Sequence, residues 1–173
     1  MKHKIPVAVL GATGSVGQRM VALLHNHPYF RIVQVAASER SQGKTYEEAV
    51  HWLLDTPIPE EIRSMRVTTP SLQSEAKLAL SALDADIARH IEPEWAGQGV
   101  AVVSNASAYR MQENVPLLIP EVNEEHLRLL PQSCFPKGGC IVTNPNCVVI
   151  GLCLALKPLY DLFGISDVSI TTF

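Results

Sequence analysis

A chain of 173 residues is long enough for one domain with a substantial core. At 47% hydrophobic and 18% charged it has ordinary globular chemistry, which excludes a disordered chain. Its net charge of -3 gives no electrostatic footprint for nucleic acid or for an anionic membrane surface. No apolar run is long enough to cross a bilayer, and the start, Met1 to Val7, enters a strand-like segment with no secretory cleavage region. A cytoplasmic location is the default expectation.

Strand-like and helix-like segments alternate along the chain. Ile5 to Leu10 is a short apolar strand. Ser15 to His25 reads as a helix with Val16, Met20, Leu23 and Leu24 on its inner face. Ile32 to Ala37 is a second strand. Gln42 to Pro70 carries Pro57, Pro59 and Pro70 and predicts loop, one short helix and a strand near Met65 to Thr68. Leu78 to Ala82 is a strand, and Ile87 to Gln98 a helix in which Pro93 predicts a break or a new start. Ala101 to Ser104 and Cys140 to Asn144 are strands. A long helix follows from Cys147 to about Leu162, its run Val148 to Leu156 apolar enough to be buried, and Asp167 to Thr172 ends the chain as a strand. Wholly apolar strands need cover on both faces, so the expected architecture is α/β, a Rossmann-like doubly wound parallel sheet.

The first strand runs into Gly11-Ala12-Thr13-Gly14-Ser15-Val16-Gly17 and then a helix. One glycine permits the tight turn, a second lets the backbone approach a pyrophosphate, and a third lets the helix pack close to the sheet. The helix N-terminus offers amides and a positive dipole end, and Thr13 and Ser15 add hydroxyls. The bland alternative is a plain strand-to-helix turn; strand before and helix after favour a dinucleotide. The second strand ends Ala36-Ala37-Ser38-Glu39-Arg40-Ser41, with small residues at its tip. A guanidinium with hydroxyls suits the 2′-phosphate of NADP. Glu39 dissents: turned outward it is neutral, turned inward it accepts from a ribose and weakens that preference.

The cysteines are Cys134, Cys140, Cys147 and Cys153, with no C-x-x-C pair and no histidine at ligand spacing, so neither a metal site nor a disulfide framework is expected. Cys134 and Cys140 read as structural and Cys153 as core. Cys147 follows Thr143-Asn144-Pro145-Asn146, turn and cap residues, and opens the long helix. Helix-terminal amides stabilise a thiolate and make it a nucleophile. A small buried hydrophobe at a helix start is an equally weighted reading of the same spacing.

These segments, together with Ser104-Asn105-Ala106-Ser107-Ala108-Tyr109-Arg110-Met111 and Ile119-Pro120-Glu121-Val122-Asn123, in this order, resemble aspartate-semialdehyde dehydrogenase of the archaeal and fungal branch. The resemblance runs through nearly the whole chain. It implies that Cys147 forms a thioester with an aspartyl group and that Arg110 holds phosphate with Asn105 beside it. It implies that Thr13, Gly14, Ser15 and Val16 form the pyrophosphate loop and that Ser38, Arg40 and Ser41 receive the 2′-phosphate. It also implies that Asn146 positions the nucleophile. The implied reaction is NADP-dependent reduction of L-aspartyl 4-phosphate to the semialdehyde, on the route to lysine, methionine and threonine, in a homo-oligomeric parent (dimer or tetramer).

Residues 1–146 would be the NADP-binding domain and 147–173 the beginning of a catalytic and dimerisation domain. Two departures stand out. Val148 replaces the hydroxyl residue usual after the nucleophile. The family's later glutamine, substrate arginine, general-base histidine and most of its dimer interface have no counterpart here, and none of the six histidines matches that base. Each reads as a surface or packing residue, and the chain alone is expected to turn over negligibly. Malonyl-CoA reductase and N-acetyl-glutamyl-phosphate reductase share the skeleton, and a non-catalytic nucleotide-binding module is the alternative from another class.

Overall fold

The computed structural model describes residues 4–171. Six parallel strands form one sheet in the order β3-β2-β1-β4-β5-β6. They are β1 (Ile5–Leu10), β2 (Phe30–Ala36), β3 (Val67–Thr68), β4 (Leu78–Ser81), β5 (Ala101–Ser104) and β6 (Cys140–Thr143). The order reverses between β1 and β4, the switch point at which open α/β sheets take ligands. Because every strand is parallel, all their C-terminal tips share one edge.

The strands are mainly apolar because both faces are covered. Val7 and Val9 of β1 join Val21, Leu24, Val35, Tyr46 and Val67 on one face. Ala8 and Leu10 join Ala79, Trp95, Val102 and Ile141 on the other. Burying each Val or Leu contributes about 1.5–3 kcal/mol, so the two layers outweigh any single polar contact. Gln34 is the buried polar residue of β2. Its amide donates to Thr68 Oγ1 and the Ser71 carbonyl, both at 2.8 Å, and its oxygen accepts from Gln73 N and Ser74 Oγ. That exchange orders the segment between β3 and β4.

Several local expectations are corrected. Helix α1 (Ser15–Leu24) buries Gly17, Gln18, Val21 and Leu24, whereas Val16 and Leu23 are 46% and 76% exposed. The close approach required at Gly17 fixes the helix rotation and overrides the hydrophobic stripe. The Gln42 to Pro70 stretch holds two short helices rather than one, α2 (Tyr46–Ala49) and α3 (Glu60–Arg63), after a 3-10 turn at Glu39–Ser41. Thr45 and Glu48 form a reciprocal capping box that nucleates α2.

Helix α4 (Ala85–Gly97) runs straight through Pro93. A proline removes the donor to the carbonyl four residues back. Here that carbonyl, of Arg89, accepts instead from Tyr109 Oη at 2.7 Å. Short elements follow β5: α5 (Pro120–Asn123), a 3-10 turn (Glu124–Leu129) and α6 (Leu130–Ser133). Residues 167–171 form no strand, and Thr172 lies outside the described residues. They lack a neighbouring strand; the outer side of β6 meets the 116–118 segment, through Thr143 N to Pro116 O and Leu118 N to Thr143 O. Helix α7 (Cys147–Phe163) buries none of its residues, so neither the Val148 to Leu156 run nor Cys153 is core. No helix among the described residues is long and apolar enough to cross a membrane.

Candidate active site at the strand tips

The glycine turn leaves β1 at its C-terminal end. Gly11 has φ +77°, and a Cβ there would stand 2.6 Å from the Ala82 carbonyl oxygen. The Gly11 and Ala12 amides both donate to Ala36 O at 2.9 Å, tying the turn to β2. Gly14 caps α1 with no side-chain hydrogen bond. The amides of Ser15, Val16 and Gly17 therefore have no acceptor among the described residues. A bare first turn with free amides and no acidic residue suits a phosphate group.

Two buried side chains hold this turn from beneath. Tyr46 Oη donates to Ala12 O at 2.7 Å. Gln18 Nε2 donates to Thr13 O and to His51 O, while its oxygen accepts from Leu53 N at 2.7 Å. Burial pushes the Tyr46 phenol well above its ordinary value, so it stays a donor. Tyr46→Phe leaves the buried Ala12 carbonyl without its partner. We expect a stability loss of about 1–3 kcal/mol in denaturant titration.

At the tip of β2, Ser38 caps the 3-10 turn and is exposed, while Arg40 on the turn is exposed and Ser41 half-buried. Glu39 is exposed, and the described ion pairs do not include one between Arg40 and Glu39. This turn therefore offers one guanidinium and two hydroxyls as donors at the strand tip.

Past β4, the tips of β5 and β6 carry the second cluster. Asn105 N donates to Ser81 O and Asn144 N to Ser104 O, linking three strand ends. Arg110 Nη2 donates to Asn105 O at 2.7 Å, and its Nε donates to Asn144 O at 2.9 Å. Asn144 Nδ2 donates to Asn105 Oδ1 at 2.5 Å. The guanidinium is thus pinned by two carbonyls on one side, with further N–H groups left for an anion. Two residues after Asn144, Asn146 caps α7 by accepting from Val148 N at 2.9 Å. Cys147 is exposed, with Sγ 3.8 Å from the same Asn146 oxygen. Cys147 is thus not buried among the described residues. Burial and then Cys134 push the Cys140 thiol up, which disfavours its ionised form. All four thiols are free, and no cluster that could hold a metal ion occurs among the described residues.

The strand order puts the glycine turn and Cys147 on one edge, three strand spacings or roughly 14 Å apart. Asn105 and Arg110 bond to Asn144, three residues before Cys147, and Ser38, Arg40 and Ser41 lie toward the opposite end. The histidines described do other work: His25 meets Glu61 at 2.5 Å and His27 stacks on Phe30. His3 lies outside the described residues. Sequence patterning does not single out Tyr46, Gln18, Glu92 or Ser104. Gln18 directly after the last glycine, a polar residue where a helix must face the sheet, is the one signal that could have found its role.

Comparison with known proteins agrees with this arrangement. Residues 6–130 match the family model described as semialdehyde dehydrogenase, NAD binding domain. An aspartate-semialdehyde dehydrogenase of Methanothermobacter thermautotrophicus is 49% identical over 172 residues, 97% of this chain and 49% of that protein. One from Saccharomyces cerevisiae is 42% identical, across 99% of this chain and 50% of that protein. A crystal structure of aspartate semialdehyde dehydrogenase with NADP from Candida albicans superposes with a TM-score of 0.86 at 40% identity, covering 94% of this chain and 48% of that one. The chain spans about half the length of the curated relatives it matches. With its reversed strand order, its glycine turn and this match, the chain belongs to the semialdehyde dehydrogenase family and carries that family's NAD-binding domain.

Proposed function

We propose that this chain is the NADP-binding, nucleophile-bearing part of an aspartate-semialdehyde dehydrogenase, an enzyme of the cell interior that converts L-aspartyl 4-phosphate to L-aspartate 4-semialdehyde and phosphate. The observation that carries the reading is the shared edge. An exposed thiol at a helix start, a pinned arginine and a phosphate-ready glycine turn lie along the same strand tips. The Candida albicans relative, solved with NADP, supports the choice of cofactor.

In the biosynthetic direction the Cys147 thiolate attacks the acyl carbon. A carbon–sulfur bond forms, the bond to the phosphate oxygen breaks, and the departing phosphate passes to Arg110. When bound, NADPH would supply the hydride to the thioester carbon, and the carbon–sulfur bond would then break to release the semialdehyde and regenerate the Cys147 thiolate. The Ser15, Val16 and Gly17 amides would hold the pyrophosphate, and Arg40 with Ser38 and Ser41 would hold the 2′-phosphate. Among the described residues no titratable group hydrogen-bonds Cys147 Sγ; its partner is Asn146 Oδ1. With no acid–base group bonded to the thiol, we expect turnover by the chain alone to be negligible. Helix α7 buries nothing, which supports assigning Cys147 onward to a second, catalytic unit.

Fluorescence titration of the purified chain tests the cofactor. NADP+ should bind about tenfold more tightly than NAD+, and Arg40→Ala should erase that difference, the worth of one charge-assisted hydrogen bond. Equal affinities in the unaltered chain would sink the NADP assignment. Iodoacetamide should label Cys147 ahead of Cys140 and Cys153, with NADP+ and phosphate slowing it. Robust NADPH formation from semialdehyde, phosphate and NADP+ would overturn the expected inactivity.

A further inference from the structure

We propose that Glu92 is a positioning residue: from inside helix α4 it holds the tip of β5 so that Asn105 and Arg110 present a preformed phosphate site. The proposal rests on the phosphate role given to Arg110 above. Glu92 is 0% exposed, an unusual place for a carboxyl group. Its Oε1 accepts from Ser104 Oγ at 2.6 Å. The same serine oxygen accepts from Ala106 N at 3.1 Å, and the Ser104 carbonyl accepts from Asn144 N at 2.8 Å. Ser104 is therefore the junction between Glu92 and both carbonyls that pin Arg110.

A second tie comes from the same helix. Tyr109 Oη donates to the Arg89 carbonyl that Pro93 leaves free, one residue before Arg110. Helix α4 thus grips the 104–109 segment at both ends, and Arg110 leaves that grip aimed at Asn105 O and Asn144 O. Packing alone does not account for the carboxyl. A buried Glu costs far more than an aliphatic residue of similar size unless its hydrogen bonds are used.

The other side of the group points the same way. Glu92 Oε2 and Ser81 Oγ are both buried, and neither has an aligned partner. Ser81 sits at the tip of β4, and its hydroxyl faces this carboxyl closely enough to influence its ionisation. Burial raises the Glu92 carboxyl above its ordinary range. The protonated acid would use Oε2–H toward Ser81 Oγ and keep Oε1 for Ser104. A glutamine offers the same pair of functions, one acceptor and one donor.

The test uses the 15N-labelled chain with inorganic phosphate as probe and three readouts: NADP+ affinity, phosphate affinity and hydrogen exchange of the Arg110 Nε–H. In Glu92→Leu we expect phosphate affinity to fall about tenfold and Arg110 exchange to speed at least about tenfold, with NADP+ affinity within about twofold. Glu92→Gln should keep all three near the values of the unaltered chain. Ser104→Ala removes the hydroxyl through which Glu92 acts and should mimic Glu92→Leu; it decides the matter if the leucine variant does not fold. Unchanged Arg110 exchange in whichever of those two variants folds, or a glutamine variant as impaired as the leucine one, overturns the proposal. If the unaltered chain binds no phosphate, the role given to Arg110 fails, while the exchange comparison still decides whether Glu92 positions it.

Discussion

Gly17→Ala is expected to cost about 3 kcal/mol of stability or more and to abolish measurable NADP+ binding. A Cβ at position 17 would lie 2.2 Å from Gly11 O, 2.7 Å from Ala12 Cα and 2.8 Å from Gly11 C. All three are backbone atoms, so no rotamer change relieves the clash. Gly11 cannot retreat either, because its far side already abuts Ala82 and its amide is bonded to Ala36 O. Helix α1 must lift, and the Ser15, Val16 and Gly17 amides lift with it. Gly14→Ala is the control. Its new methyl would meet only Gly11 O, at 3.4 Å, and its φ of −76° suits any residue. Denaturant melts of the two variants should differ by more than about 2 kcal/mol. Equal melting would mean that helix-to-turn contact does not set the spacing.

Gly139→Ala is expected to be as damaging, at the other end of the sheet. The added Cβ would stand 2.1 Å from Ala96 O and 2.7 Å from Val100 O. Those atoms belong to the last turn of α4 and the lead-in to β5, so β6 enters the sheet through a gap with no room for a side chain. The register that follows, Ala101 opposite Cys140 through Ser104 opposite Thr143, depends on that entry. Displacing it moves Asn144, one of the two carbonyls on Arg110, and the turn that delivers Cys147. We expect a loss of about 3 kcal/mol or more and Cys147 alkylation no longer slowed by phosphate. Stability within about 0.5 kcal/mol of the parent would refute the tight crossing.

Much of this architecture is legible in the chain because parallel strands advertise themselves. Runs such as Val7 to Leu10 and Ala101 to Ser104 are apolar on both faces, and only a covered sheet accepts that. The glycine turn and Cys147 are legible because their chemistry is local. Three things were hidden. The inner face of α1 is set by the Gly17 contact, which no hydrophobic stripe encodes. The continuity of α4 through Pro93 depends on Tyr109, a residue sixteen positions later whose hydroxyl fills a carbonyl the pattern cannot see. The exposure of α7 is hidden because Val148 to Leu156 is as apolar as any core helix; burial is a property of neighbours, not of the run itself. Glu92 and Ser104 escaped for a related reason, since a buried acid means little until its acceptor role is visible.

The anchoring of Ala12 O by Tyr46 bears on the field at the strand tips. A trans peptide unit is a rigid plane with its carbonyl and amide pointing opposite ways. Drawing the oxygen down toward the phenol turns the Thr13 N–H, which has no acceptor among the described residues, up toward the open edge. Turning the oxygen outward instead would set a negative dipole end against a dianionic ligand. A side chain lodged in the core, out of reach of any phosphate, thereby decides the sign of the surface that greets one.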